Sequence, residues 1–162
     1  MHHLVRSALF AASVAIISPA VASAKTPTAS PLWSGTWQLN LAGSKLSAPA
    51  GMRSETRVYE VHGNNLTVTA TGTDPSGKAM NYSYSGAFDG KAHPMVGNPV
   101  GDSIALSLVN PRRANITVRM GTVVTATATS DVSPDGKRLT LRRRTLHGKA
   151  SPTIEVLAFD KK

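Results

Sequence analysis

The stretch Trp33-Ser34-Gly35-Thr36-Trp37-Gln38-Leu39-Asn40-Leu41 decides how the rest of the chain is read. From Gly35 onward it alternates Trp37, Leu39 and Leu41 with Thr36, Gln38 and Asn40, the period-two pattern of a strand that buries one face. The rule returns downstream. Leu66, Val68 and Ala70 alternate with threonines, Met80, Tyr82 and Tyr84 with Asn81, Ser83 and Ser85, and Ile104, Leu106 and Leu108 with other residues; Ile116, Val118 and Met120 repeat it. Between these runs stand turn formers: Asp74-Pro75-Ser76-Gly77-Lys78, Asp89-Gly90-Lys91, Asn110-Pro111, Asp135-Gly136-Lys137 and His147-Gly148-Lys149. Such residues tolerate positive φ or start a reversal. Nine strands are expected, near 35–41, 53–61, 66–73, 79–88, 102–109, 114–120, 122–131, 138–146 and 153–160.

Short turns make consecutive strands antiparallel neighbours, and a single apolar face on each strand needs a cover. Rolling the sheet into a closed all-β up-and-down barrel of about eight or nine strands supplies that cover and removes exposed edges. A two-sheet sandwich is the alternative. No helical period follows the N-terminal segment, and the 42–52 connection, with Pro49 and Gly51, has room for one helical turn at most.

Upstream of this domain the composition changes twice. Residues 25–31 (Lys-Thr-Pro-Thr-Ala-Ser-Pro) read as a linker. Residues 1–24 read as a secretory signal peptide: Arg6 in a polar head, an apolar stretch from Ala8 to Ile17, and Ala22-Ser23-Ala24 as the processing site, with cleavage after Ala24. The apolar stretch is about ten residues, against roughly 20 for a membrane span, so a periplasmic or secreted product is expected with no transmembrane segment in the mature chain. The barrel domain then occupies residues 32–162.

The sequence has no cysteine, so its stability comes from the core alone. Its net charge is +9, and the excess is concentrated in residues 110–150, where Arg112, Arg113, Arg119, Lys137, Arg138, Arg142, Arg143, Arg144 and Lys149 face only Asp131 and Asp135. Such a field attracts anions. Export and the shortage of aromatics for base stacking argue against nucleic acid. Histidines 62, 93 and 147 show no catalytic pairing, no nucleophile motif stands out, and Asp89 with His93 lacks a third ligand, so no enzyme, metal or cofactor is expected.

Ligand binding has better material. Tyr59 and Val61 on an inner face bring Arg57 with them, and Leu139 and Leu141 bring Arg143 and Thr145, leaving Arg142 and Arg144 in solvent. An inward guanidinium beside Tyr59, Tyr82 or Tyr84 is suited to forking onto a carboxylate or phosphate while the wall covers an acyl chain. Alternatively, Glu155 or Glu60 neutralises these arginines. Two functions follow. One is a carrier of a small apolar or amphiphilic, possibly anionic, ligand; the other is an envelope module whose basic exterior meets an anionic surface or acidic partner. An interior of about 300 Å³ or more favours the first. A barrel filled by Trp37, Met80, Tyr82, Tyr84, Met120 and Phe159 favours the second.

The opening Gly35-Thr36-Trp37 resembles the Gly-x-Trp strand of the calycin superfamily, the lipocalins and fatty-acid-binding proteins. Together with Thr56-Arg57-Val58-Tyr59-Glu60, Asp89-Gly90-Lys91 and Pro94-Met95-Val96-Gly97-Asn98-Pro99, it is similar to secreted bacterial lipocalin-like proteins without an assigned function. The resemblance implies that Gly35 and Trp37 close one end of the barrel. It also implies that a late basic residue covers Trp37, for which Arg142, Arg143 and Arg144 are the candidates. The short 42–52 connection departs from the fatty-acid-binding pattern, so no helical lid is carried over.

Overall fold

The chain forms ten strands, nine of them where the alternation placed them: β1 (Gly35–Lys45), β2 (Ser54–His62), β3 (Asn65–Thr73), β4 (Ala79–Ala87), β5 (Asp89–Val96), β6 (Ser103–Asn110), β7 (Arg113–Met120), β8 (Val123–Val132), β9 (Arg138–His147) and β10 (Ala150–Lys161). They come from a computed structural model that describes residues 27–47, 52–74 and 76–162. The expected signal peptide and its cleavage site lie outside the described residues, as do Pro49 and Gly51. Every strand pairs antiparallel with its sequence neighbours, and β1 pairs with β10 to close the barrel. Among the described residues there is no α-helix, and none is long and apolar enough to cross a membrane.

The tenth strand, β5, lies where the sequence pointed to a turn and an irregular segment. Gly90 and Pro94 are poor strand residues, and Pro94 has no N–H to give a ladder. The segment is held by β6 on one side, through Ala92, His93 and Pro94. On the other side it meets β4 at only two positions, Ser83↔Val96 and Tyr84↔Met95.

Connections alternate between the two ends of the barrel, and the ends differ. At the closed end a short 3-10 turn, Pro31–Trp33, is capped by the Ser30 hydroxyl, which accepts from the Leu32 amide. This turn lays Trp33 across the floor, where its indole Nε1 donates to the Pro111 carbonyl at 2.8 Å and its ring stacks on Tyr59. Trp37 is 0% exposed and its Nε1 donates to the Trp33 carbonyl at 2.9 Å. Above this floor Leu139, Leu157 and Phe159 are fully buried, each contributing about 1.5–3 kcal/mol by leaving water.

The basic residue on Trp37 is Lys161, and none of Arg142, Arg143 or Arg144 takes that place. Trp37 and Lys161 are direct partners across the β1–β10 closure. The Lys161 Nζ sits 4.9 Å from the Trp37 ring centre and donates to the Leu32 carbonyl. Arg142 and Arg144 face outward, and Arg143 sits beside Glu155 toward the other end. This contact also explains the glycine of Gly-x-Trp. Gly35 has φ 139°, and a Cβ there would lie 2.4 Å from Lys161 Cε. A side chain would be strained by the backbone and would push the lysine stem off the indole.

Met120, expected in the core, is 45% exposed. The β7–β8 register shifts between Val118 and Arg119, and beyond the shift Met120 pairs with Val123 at the tip of the hairpin. The tip projects from the open end, where no opposing stave covers it.

Candidate functional site

Alternation places Glu55, Arg57 and Tyr59 of β2 on the inner face in order from the open end to the floor, with Tyr82 and Tyr84 of β4 beside them across β3. β9 and β10 bring Arg143 and Glu155 inward as direct cross-strand partners. The sequence-derived residues therefore converge: Arg57, Tyr59 and Tyr82 form one cluster, Tyr84 lies beside it, and Arg143 stands nearer the mouth.

The cluster is centred on a residue the sequence reading passed over. Glu55 is 0% exposed, and both of its carboxylate oxygens are occupied. Oε1 accepts from the Tyr82 hydroxyl at 2.7 Å and Oε2 from Arg57 Nη2 at 3.0 Å. Arg57 is 5% exposed, its Nη1 donates to the Tyr59 hydroxyl at 3.4 Å, and its guanidinium lies 4.6 Å from the Phe159 ring centre. Its Nε–H is buried with no acceptor among the described residues. Glu60, one of the expected partners, is on the solvent face. Glu155 does neutralise an arginine, Arg143, whose Nε donates to Oε2 at 3.2 Å, while Oε1 takes the Ser47 amide. The signal for Glu55 was available, because it sits two residues before Arg57 and shares its face.

Burial alone works against the charge on Arg57. Glu55, with the Tyr82 and Tyr59 hydroxyls, outweighs that and holds the guanidinium pKa well above its ordinary value. Burial pushes the Tyr82 phenol well up, with Arg57 offsetting part of the shift, and burial likewise raises Tyr84. Both tyrosines stay neutral over any physiological range.

Above this cluster the interior is hollow. An inner chamber of about 60 Å³ is lined by Arg57, Tyr82, Tyr84, Met95, Ile104 and Leu141 among others. An outer chamber of about 440 Å³ at the mouth is lined by Met52, Met80, Tyr82, Val100, Arg143 and Glu155 among others. Tyr82, Asn98, Val100 and Arg143 border both, so they form the neck between them. Among the described residues the lower half of the barrel is filled and the upper half is open. Among the described residues no group of three His, Asp or Glu side chains is placed to hold a metal. Asp89 and His93 make a two-residue contact, Nε2 to Oδ1 at 3.0 Å.

Among the described residues the floor and the walls define a closed antiparallel up-and-down β-barrel with one end plugged and the other open. No family model and no curated protein sequence matches the chain. Among solved structures it is similar to the zebrafish ileal bile acid-binding protein complexed with cholic acid, at 13% identity and a TM-score of 0.56, over 81% of this chain and 99% of that one. It is also similar to lobster apocrustacyanin A1, at 12% identity and a TM-score of 0.43, over 81% of this chain and 61% of that one. At these identities the likeness is one of fold, and the first of the two carries it.

Proposed function

We propose that this chain is an extracytoplasmic lipocalin-like carrier that takes one small apolar or amphiphilic molecule into the upper half of its barrel and performs no chemistry on it. The observation that supports this best is the outer chamber of about 440 Å³ at the mouth. Its size falls in the usual range of small-molecule sites, and it stands above a sealed aromatic floor. The zebrafish neighbour, which shares the fold, is a binding protein with a bile acid in its structure. Native mass spectrometry of protein purified from its own envelope tests the reading: a bound small molecule is expected, and Val100→Trp, which narrows the neck between the two chambers, should weaken its retention. A preparation that is ligand-free and takes up no apolar fluorophore sinks the proposal.

A second reading is favoured by one feature of the outer wall. Asn115, Thr117, Thr129, Arg142, Arg144 and Ile154 border a groove of about 410 Å³ across β7–β10, suited to an anionic envelope surface. Arg142→Ala and Arg144→Ala should then weaken binding to anionic vesicles, and salt should weaken it for the wild type. Vesicle binding unchanged by both substitutions removes this reading.

A further inference from the structure

We propose that the barrel selects an uncharged ligand carrying a hydrogen-bond acceptor, and that Glu55 enforces this choice by holding Arg57 in the place an anionic ligand would take. The inference rests on the ligand-binding reading above and names the ligand class.

The interior is charge-balanced by its own side chains. Arg57 is committed to Glu55, and Arg143 to Glu155. A carboxylate or phosphate reaching the inner chamber therefore meets no free cation. To engage Arg57 it must separate the pair and strand Glu55, a fully buried carboxylate, beside a second negative charge. Breaking a buried pair from one side is strongly unfavourable, and leaving the incoming anion unpaired is no better. Arg143 offers the same obstacle nearer the mouth, since its Nε and Nη2 both donate to Glu155 Oε2.

One donor remains. The Nε–H of Arg57 is buried without an acceptor, and Arg57 lines the inner chamber. Buried polar groups without partners are rare in folded proteins, and each one calls for an explanation. A small turn of the guanidinium that brings this Nε–H to the chamber lets a ligand carbonyl or ether oxygen supply the missing acceptor without adding a charge. The remaining wall of this chamber includes the apolar side chains Met95, Ile104 and Leu141, and its volume of about 60 Å³ admits a compact polar end. The larger outer chamber takes the apolar body. The ligand thus enters polar end first. A site built to donate one hydrogen bond discriminates through that bond, because a ligand without the acceptor leaves the donor unsatisfied.

The test measures displacement of an apolar fluorophore from the full chain by methyl dodecanoate and by dodecanoate, at neutral pH and below the concentration at which either aggregates. Wild type should bind the methyl ester at least about tenfold more tightly than the anion. Glu55→Gln frees Arg57 for the anion, so dodecanoate should gain about ten- to a hundredfold and the preference should invert. A preference that came only from the greater apolarity of the ester would survive this substitution unchanged. If Glu55→Gln does not fold, the apolar pair Glu55→Leu/Arg57→Met substitutes for it. There the ester should lose about three- to tenfold with dodecanoate unaffected. Dodecanoate binding wild type as tightly as the ester overturns the inference and leaves the carrier reading standing, as does a folded Glu55→Gln with the wild-type preference. Failure of fluorophore and both ligands to bind removes the carrier reading, and this inference with it.

Discussion

Replacing Trp37 with alanine probes the closed end most directly. Truncating a fully buried aromatic to alanine removes its transfer free energy and leaves a cavity, together costing about 3–5 kcal/mol. Two specific contacts go with it. The Trp33 carbonyl loses the indole donor at 2.9 Å, about 1 kcal/mol, and the Lys161 ammonium loses the ring beneath it, about 0.5–1 kcal/mol. These terms overlap, and the expected loss is about 5 kcal/mol against a total of about 5–15 kcal/mol for a domain of this kind. Urea unfolding followed by far-ultraviolet circular dichroism measures it, with Trp33 fluorescence as an independent probe of the floor. Trp37→Phe separates the contributions: it keeps most of the buried area and should lose about 2 kcal/mol, and Lys161→Met, which removes only the charge and its hydrogen bond to Leu32, about 1 kcal/mol. A Trp37→Ala barrel within about 1 kcal/mol of wild type would refute the assignment of this residue as the plug.

Gly97→Ala should destabilise by about 1–3 kcal/mol and weaken ligand uptake together, because Gly97 has φ 78°, its new Cβ would lie 2.2 Å from the Asn81 carbonyl, and any shift moves Asn98 at the neck. Differential scanning calorimetry with a fluorophore titration checks both; loss of stability without loss of binding removes Asn98 from the neck. In alkali, Tyr82 and Tyr84 keep their protons in the folded barrel while the unfolded chain releases them near pH 10, so the folded state binds more protons. Their contribution is whole below pH ~10 and declines above it, by about 1.4 kcal/mol per pH unit for each tyrosine until the folded value is reached. Tyrosinate absorbance should therefore appear for these two with unfolding, and a non-cooperative rise near pH 10 in a folded Tyr59→Phe variant would contradict their burial. Intact-mass measurement of the exported product should give a mature N-terminus at Lys25; retention of residues 1–24 refutes the leader.

The fold was legible because its main signal is local. Trp37-x-Leu39 and Met80-x-Tyr82-x-Tyr84 state which face is buried without reference to any distant residue, and the Gly-Lys pairs at 77–78, 136–137 and 148–149 state where the chain reverses. β5 was not legible, since Pro94 and Gly90 argue locally against a strand and only the neighbouring β6 makes one. Lys161 was missed for a related reason: its contact with Trp37 is created by closure, a relation between strands at opposite ends of the order. The inward set Arg57, Tyr59, Tyr82 and Arg143 came from parity alone. Glu55 obeys the same parity, yet attention to Glu60 and Glu155 as partners left it out. The division of the interior into a filled floor and two chambers depends on how far side chains from opposite staves reach across, which no single strand records.

The pairing of β1 with β10 also has a kinetic side. The two strands are separated by about 120 residues along the chain, and bringing such distant segments together costs about 4 kcal/mol of loop entropy before any contact compensates it. The eight strands between them can zip hairpin by hairpin, so the partly folded chain is a curved sheet with β1 at one edge and β10 at the other. Both edges then carry unpaired amides and carbonyls, and β1 also presents the uncovered indole of Trp37. The late step is consequently the seating of Lys161 across Gly35 onto that ring, which ends both the exposed edge and the exposed aromatic at once. Crowded conditions that prolong the open sheet will favour strand addition between molecules at this seam before any other place on the barrel.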